Sequence, residues 1–140
     1  FNLHIIGKGF EAITLADGSH PESTALKPTE YCLNETALSK ISVNVMPWFR
    51  DGSHDRILSS MLCGSVTFSD PSLWLDKSFT GREMCFYDLN NMSELTSHIA
   101  VILDDPSAAM EIAAGGRKKA IALHTWKARA AELLEHLKDN

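Results

Sequence analysis

Short β-type runs alternate with helical patterns through the first two thirds of this 140-residue chain. The predicted strands are residues 3–6, 41–46, 65–68 and 84–87, and the predicted helices are 28–38, 54–63 and 72–79. Residues 17–28 are rich in turn formers and are predicted to be a loop. Parallel strands are joined by crossover helices, so the alternation predicts an α/β fold. We expect a Rossmann-like parallel sheet with helices on both faces, in a single domain over residues 1–140.

The last third of the chain is predicted to be entirely helical. Residues 92–103 and 107–114 are predicted to form the first two helices, and Gly115-Gly116 is predicted to end the second of them. Two further helical segments run to about residue 138. The last segment carries one apolar stripe at helical spacing, which we expect to be core. Its members are Trp126, Ala130, Leu133, Leu134 and Leu137.

The charge balance and composition exclude several classes of function. A formal net charge of −5 argues against nucleic acid as a partner, because phosphate backbones select basic surfaces. No apolar run approaches the roughly 20 residues that a membrane span needs, so no transmembrane segment is predicted. The 3 cysteines and 6 histidines show no metal-ligand or disulfide spacing. We therefore expect a reduced, cytoplasmic protein without a bound metal.

Three segments follow predicted strands, where open α/β sheets bind their ligands: residues 7–10, 47–56 and 69–72. The second segment leads into the helix 54–63. Ser53 is its predicted N-cap, and Gly64 is predicted to end it in the left-handed conformation.

The start of this helix has the features of an anion site. The first turn of a helix has unpaired N–H groups and a partial positive charge. Arg50, His54 and Arg56 add cationic or donor groups, Ser53 adds a hydroxyl, and Gly52 lets a ligand approach the backbone. The stretch therefore predicts a site for a phosphate or diphosphate.

A purely structural interpretation of the same stretch is equally open. Asp55 lies in the first turn and complements the helix dipole without any ligand. Ser53 would then act only as a cap, and Arg56 would be solvated or paired with Asp55. Asp51 adds a second negative charge, which also opposes an anion.

The stretch VNVMPWFRDGSHDRILSSMLCGSVTFSD, residues 43–70, resembles the donor-binding half of group 1, GT-B-fold glycosyltransferases. It is most similar to the branch that includes spore-maturation-type proteins. The shared pattern is a strand, a Pro-aromatic step, Gly-x-His-Asp-Arg, a short helix ending near Gly, and a strand ending in Asp. The resemblance continues through residues 80–83, 86–88 and 124–130, and spans roughly residues 41–134.

The resemblance implies that the chain is the nucleotide-sugar-binding C-terminal lobe of a longer, two-lobe glycosyltransferase. The nucleotide sugar would be the donor substrate, the acceptor is unknown, and no cofactor is implied. The general base would come from the N-terminal lobe, and the terminal helices would help to join the two lobes. We expect this piece alone to bind donor weakly and to transfer nothing.

The resemblance also implies roles for individual residues. Many group 1 enzymes carry two glutamates eight positions apart, one for the donor sugar and one for the ribose. These positions fall on Asp51 and Ser59, so only the first retains an acid. An aromatic residue of the Pro-aromatic step could face the nucleobase. The predicted donor-binding residues are Lys8, Trp48, Arg50, Asp51, Gly52, Ser53, His54, Asp55, Arg56, Ser59 and Asp70.

Several of these residues also have ordinary structural interpretations. Lys8 fits a solvated turn, Asp70 before Pro71 fits a plain turn residue, and Phe49 fits a hydrophobic rim. The missing acid at Ser59 slightly favours an alternative function, a non-catalytic α/β module that regulates or binds a partner.

Overall fold

The computed structural model describes residues 3–8, 10–15 and 17–138, with only the backbone of Glu11. The chain divides into two compact units, Phe1–Glu35 and Thr36–Asn140, and each is described by itself. Gly9, part of the predicted strand-end segment 7–10, lies outside the described residues.

The first unit contains a small parallel pair of strands. β1 (Ile5–Ile6) pairs with β2 (Ser23–Thr24), and a single turn of 3-10 helix, Phe10–Ala12, lies between them. The prediction of a loop over residues 17–28 is therefore wrong at β2. The cause is tertiary, because Ser23 and Thr24 take their extended conformation from pairing with β1 rather than from an apolar pattern of their own. Helix α1 (Thr29–Leu38) begins in this unit, close to its predicted bounds.

The second unit is built on a three-stranded parallel sheet. Its strands are β3 (Ile41–Asn44), β4 (Val66–Ser69) and β5 (Cys85–Phe86), in the order β3-β4-β5. Asn44 lies opposite Ser69 in the register, and Ser69 lies opposite Phe86. The carboxyl ends of all three strands therefore meet at one edge. The crossovers and the last third of the chain are helical: α2 (Asp55–Cys63), α3 (Leu73–Ser78), α4 (Met92–Asp104), α5 (Pro106–Leu123) and α6 (Trp126–Lys138).

Buried side chains cover both faces of this sheet. β4 is buried along its whole length, and its alternate residues Val66 and Phe68 belong to one core cluster with Leu95 and Ile102 of α4. A second cluster combines residues of α2, α3 and α5. Successive side chains of a strand point to opposite faces, so each cluster fills one face. The prediction of a Rossmann-like α/β fold with helices on both faces is confirmed.

Helix α5 passes without interruption through Gly115 and Gly116, so the predicted break there is wrong. The two glycines allow the backbone of residues 82–83 to lie against the helix. A Cβ at Gly115 would be 2.5 Å from the carbonyl oxygen of Arg82, and a Cβ at Gly116 would overlap the carbonyl oxygen of Glu83. These glycines serve close packing rather than chain reversal.

The apolar stripe on α6 is exposed, so its prediction as core is wrong for this structure. Trp126 is 92% exposed, Leu137 is 64% exposed, and α6 has no buried residue. Leu133 and Leu134 are exposed to a similar degree, and Ala130 is also exposed. The helical spacing was read correctly, but no described element covers this face of the helix.

Candidate functional site

The segments that follow β3 and β4 are joined by buried hydrogen bonds. The backbone N–H of Met46 donates to the Asp70 carboxylate at 2.6 Å. The Ser72 hydroxyl donates to the Gly52 carbonyl at 2.6 Å and accepts from the Leu75 N–H at 3.1 Å. Asp70 and Ser72 are both about 4% exposed. Their first role is therefore to hold the two loops together, which gives the edge a fixed shape.

The segment that follows β5 is tied to the same edge by Tyr87. The Tyr87 hydroxyl donates to the Asn44 carbonyl at 2.7 Å. Burial, aided by the negative charge of Asp70, raises the pKa of Tyr87 to about 12. The phenol therefore stays protonated at neutral pH and remains a hydrogen-bond donor.

The N-cap of α2 is His54, so the prediction of Ser53 is wrong by one residue. His54 has extended backbone angles (φ −89°, ψ 143°), and its Nδ1 accepts from the Arg56 N–H at 3.2 Å. The Ser53 hydroxyl instead donates to the His54 carbonyl at 3.2 Å. The left-handed conformation of Gly64 at the other end, with φ 84°, is confirmed.

The His54 ring has two competing contacts at one nitrogen. Nδ1 accepts from the Arg56 N–H and also contacts the Asp55 carboxylate. The first contact needs a lone pair and the second needs a proton, so only one can be a hydrogen bond at a time. The Asp55 carboxylate contacts the His54 ring and forms no ion pair with the Arg56 side chain, so the version of the structural interpretation that pairs Asp55 with Arg56 is wrong.

Two arginines flank this helix start without a partner. The side chains of Arg50 and Arg56 are exposed, and neither forms an ion pair with a residue that the structure describes. A guanidinium is always charged and presents a fork of donors that matches phosphate oxygens. Together with the dipole of a nine-residue helix, they place two guanidinium groups at a corner that also carries the exposed carboxylates of Asp51 and Asp55.

Asp51 and Ser59, the two positions at which an acid pair was expected, take no part in the hydrogen bonds that join the loops after β3 and β4. Asp51 is exposed, and Ser59 is half-buried on α2. The neighbouring Ser60 is hydrogen-bonded: its hydroxyl lies 2.9 Å from that of Ser42 and donates to the Arg56 carbonyl at 2.8 Å. The half-buried Gly52 has room for a methyl group, because an added Cβ would meet only the Phe49 ring, at 3.7 Å.

The two aromatic residues before the site are placed differently. Trp48 is 90% exposed at the tip of its turn. Phe49 packs edge-on against the His54 ring, with 6.0 Å between ring centroids. Trp48 thus offers a free face for stacking, whereas Phe49 belongs to the wall of the site.

A shallow cleft of about 210 Å³ opens at the carboxyl ends of the strands. Its walls include Pro47, Phe49, Arg50, Asp70, Asp88 and Asn90. Ligand pockets usually measure roughly 300–1,000 Å³, so this cleft is smaller than a typical ligand pocket.

Asp88, Leu89 and Asn90 also line the cleft, although none of them is among the predicted donor-binding residues. They follow β5 and form a turn, in which the Asp88 carboxylate accepts from the backbone and side-chain N–H groups of Asn90, both at 2.9 Å. The rule that ligands bind after strands would have found them if it had been applied to β5 as well.

Two buried polar atoms near the strand ends have no hydrogen-bond partner among the described residues. They are Nδ2 of Asn44 and Oγ of Ser69, which lie opposite each other in the register of β3 and β4. Buried polar groups are normally satisfied, so this pair gives the strand ends unused hydrogen-bonding capacity.

Lys8 is exposed and lies after β1 in the first unit, so its predicted phosphate contact stays a prediction. Among the described residues, no group of three or more His, Cys, Asp or Glu side chains could hold a metal ion. None of the helices within those residues combines the length and apolar character that crossing a bilayer would require.

The fold is similar to that of a solved sucrose-phosphate synthase from Thermosynechococcus elongatus. The TM-score is 0.70 at 20% sequence identity, and the match covers 84% of this chain and 29% of the other. The chain thus spans less than a third of that protein, a GT-B glycosyltransferase. No curated protein sequence matches the chain. A family model described as glycosyl transferase-like matches residues 1–135, and the chain therefore belongs to this glycosyltransferase family.

Proposed function

We propose that the chain is the donor-binding lobe of a glycosyltransferase and that it holds the diphosphate of a nucleotide sugar at the start of α2. The observation that carries the proposal is a pair of exposed arginines, Arg50 and Arg56, which form no ion pair within the described part of the chain and flank the N-terminus of a helix that follows a parallel strand. Family membership supplies the reaction class, and this corner supplies guanidinium donors of the kind that bind phosphate oxygens.

The proposed catalytic contribution is electrostatic. As the glycosidic bond to the donor breaks, negative charge builds on the departing nucleoside diphosphate. The helix N-terminus, His54 and Arg56 would stabilise that charge. Neither a metal nor another cofactor is part of the proposal.

The two ends of the donor would contact different parts of the site. The exposed ring of Trp48 offers a stacking face for the nucleobase, while Asp51 and the cleft beside Asp70 offer acceptors for sugar hydroxyls. A serine hydroxyl at Ser59 is a weaker partner for a ribose than a carboxylate. We therefore expect ribose contacts to come from residues 54–56 instead.

The proposal includes a second lobe of the enzyme, outside this chain. The chain would be part of a longer cytoplasmic protein whose N-terminal lobe binds the acceptor and supplies the general base. The exposed stripe of α6 supports this arrangement, because it offers an apolar face for such a lobe to cover.

Calorimetric titration of UDP, GDP, ADP and dTDP into the protein and into Arg56→Ala tests the proposal. We expect one nucleotide to bind and the substitution to weaken it by about tenfold or more, since a charge-assisted hydrogen bond contributes about 1.5–3 kcal/mol. Arg117→Ala is the matched control, because Arg117 is also an exposed arginine and lies on α5. Equal binding by Arg56→Ala and Arg117→Ala would contradict the proposed anion site.

The absence of an acid at Ser59 keeps one alternative open, a non-catalytic module that regulates or binds a partner. A thermal-shift screen with the same nucleoside diphosphates separates the two. A partner-binding module should show no shift with any of them.

A further inference from the structure

Helix α6 makes side-chain contacts to α3 and to the end of α5 through one arginine, Arg129. It has no buried residue, and its first turn is capped by Thr125, which accepts from the backbone N–H groups of Ala128 and Arg129. Beyond the cap, the Arg129 guanidinium lies over the Trp74 ring of α3 at 5.9 Å and contacts the His124 ring. Arg129 therefore connects α6 to both α3 and the end of α5.

The contact between Arg129 and His124 requires an unprotonated nitrogen. Nη2 of Arg129 lies 2.8 Å from Nδ1 of His124. Arginine can only donate, so Nδ1 must carry the lone pair and the ring must be neutral. The ring also packs against two aromatic rings that contact each other, Trp74 at 5.3 Å and Phe79 at 5.2 Å between centroids.

The charges around His124 oppose its protonation. Lys119 of α5 and Arg129 of α6 are the nearby cations, and Glu132 of α6 is the nearby acid. Glu132 is already bound to Arg129 at 2.7 Å, and Lys119 is paired with Glu83 at 3.7 Å. Burial first, then the two cations, lower the pKa of His124 below its ordinary value.

We infer that His124 and Arg129 form an acid-sensitive latch that holds α6 against α3 when His124 is neutral and releases it when His124 is protonated. Protonation removes the acceptor for Arg129 and places a second positive charge beside it. Once released, α6 should lose its helical structure, because an isolated helix of 13 residues is only marginally stable in water. This inference does not depend on the proposed function.

The sign of the pH effect follows from the lowered pKa. At pH values above about 6.5 both the latched and the released states have a neutral histidine, and the latch is at full strength. As the pH falls from about 6.5 towards the lowered pKa of the latched state, the released state binds a proton more readily than the latched state, so latching is progressively lost and the loss levels off below the lowered pKa.

Amide hydrogen exchange, corrected for the intrinsic effect of pH, tests the latch directly. Between about pH 7.5 and pH 5 we expect the protection of the Leu133, Leu134 and Leu137 amides to fall progressively, because the pKa of His124 is lower in the latched state than in the released state. The Met61 amide in α2 should keep its protection. In the wild type, the pH midpoint of α6 exchange should match the titration of the His124 ring followed by NMR.

Two variants separate the latch from general acid destabilisation. His124→Asn keeps an acceptor but does not titrate, so its α6 exchange should not change with pH. Arg129→Ala should expose α6 at both pH values, whereas Lys127→Ala, which removes an exposed cation from the same helix, should not. Wild-type protection of α6 that stays constant over this range, or that changes at a pH unrelated to His124, would overturn the inference.

Discussion

Helices α2 and α6 differ in what holds them in place. α2 buries Ile57, Ser60 and Met61, and defined caps close both of its ends. α6 is longer, 13 residues against 9, and buries none. Helix length therefore does not indicate which helix is fixed. Packing fixes α2, and this is why its N-terminus can present groups at constant positions to a ligand, while α6 depends on a few side-chain contacts.

The largest expected change in stability is for a substitution on the buried side of α2, compared with one in the exposed stripe of α6. Met61→Ala should lower the free energy of unfolding by about 2–5 kcal/mol, because Met61 is buried and the change leaves a cavity. Leu137→Ala on α6 should change it by less than about 0.5 kcal/mol. Urea denaturation of both variants measures the difference. Similar losses would show that the α6 stripe is packed in solution.

A smaller effect is expected where α2 meets α5. Gly116→Ala should lower the free energy of unfolding by about 1–3 kcal/mol, because the new methyl group overlaps the Glu83 carbonyl and lies 3.4 Å from Met61. Gly81→Ala is the matched control, since an added Cβ there meets nothing within 4 Å. If both variants melt at the same temperature, the close contact between α5 and residues 82–83 is not rigid.

The smallest expected change in stability is for a substitution just before the N-terminus of α2. Gly52→Ala should leave the melting temperature nearly unchanged, because its Cβ would make only ordinary contact with Phe49. Binding of the nucleoside diphosphate should still weaken, about tenfold if the methyl group displaces one charge-assisted hydrogen bond to the ligand. Calorimetry on the folded variant measures this. Unchanged affinity would remove Gly52 from the site.

The parts of the fold that were predicted correctly have strong local signals. The apolar stripe through Ile57 and Met61 specifies α2, and strand-helix alternation specifies the parallel sheet. The errors have non-local causes. Gly115 and Gly116 resemble a helix break in the sequence, but they are needed because the backbone of residues 82–83 lies against them. The periodicity of α6 predicts an apolar stripe but not whether another element covers it.

The candidate site was predicted in outline but not in detail. Residues 47–56 and 69–72 do meet at the strand ends, as the parallel topology requires. The engagement of Asp70 and Ser72 in structural hydrogen bonds could not be predicted, because it depends on the distance between two loops. The choice of His54 over Ser53 as the cap follows from the extended backbone of His54 and from its side-chain hydrogen bond to the Arg56 N–H.

The unbroken course of α5 has a consequence for how this unit unfolds and tolerates change. Its first half packs against one core cluster through Ile112 and Ala113, and its second half enters the other cluster through Ala120. One helix thus makes the two layers a single cooperative unit. Adding one residue between Gly115 and Gly116, where the sequence resembles a linker, would turn everything beyond it by about 100°. Ala120 would then leave its cluster, so the pair that looks most tolerant of insertion should be among the least tolerant.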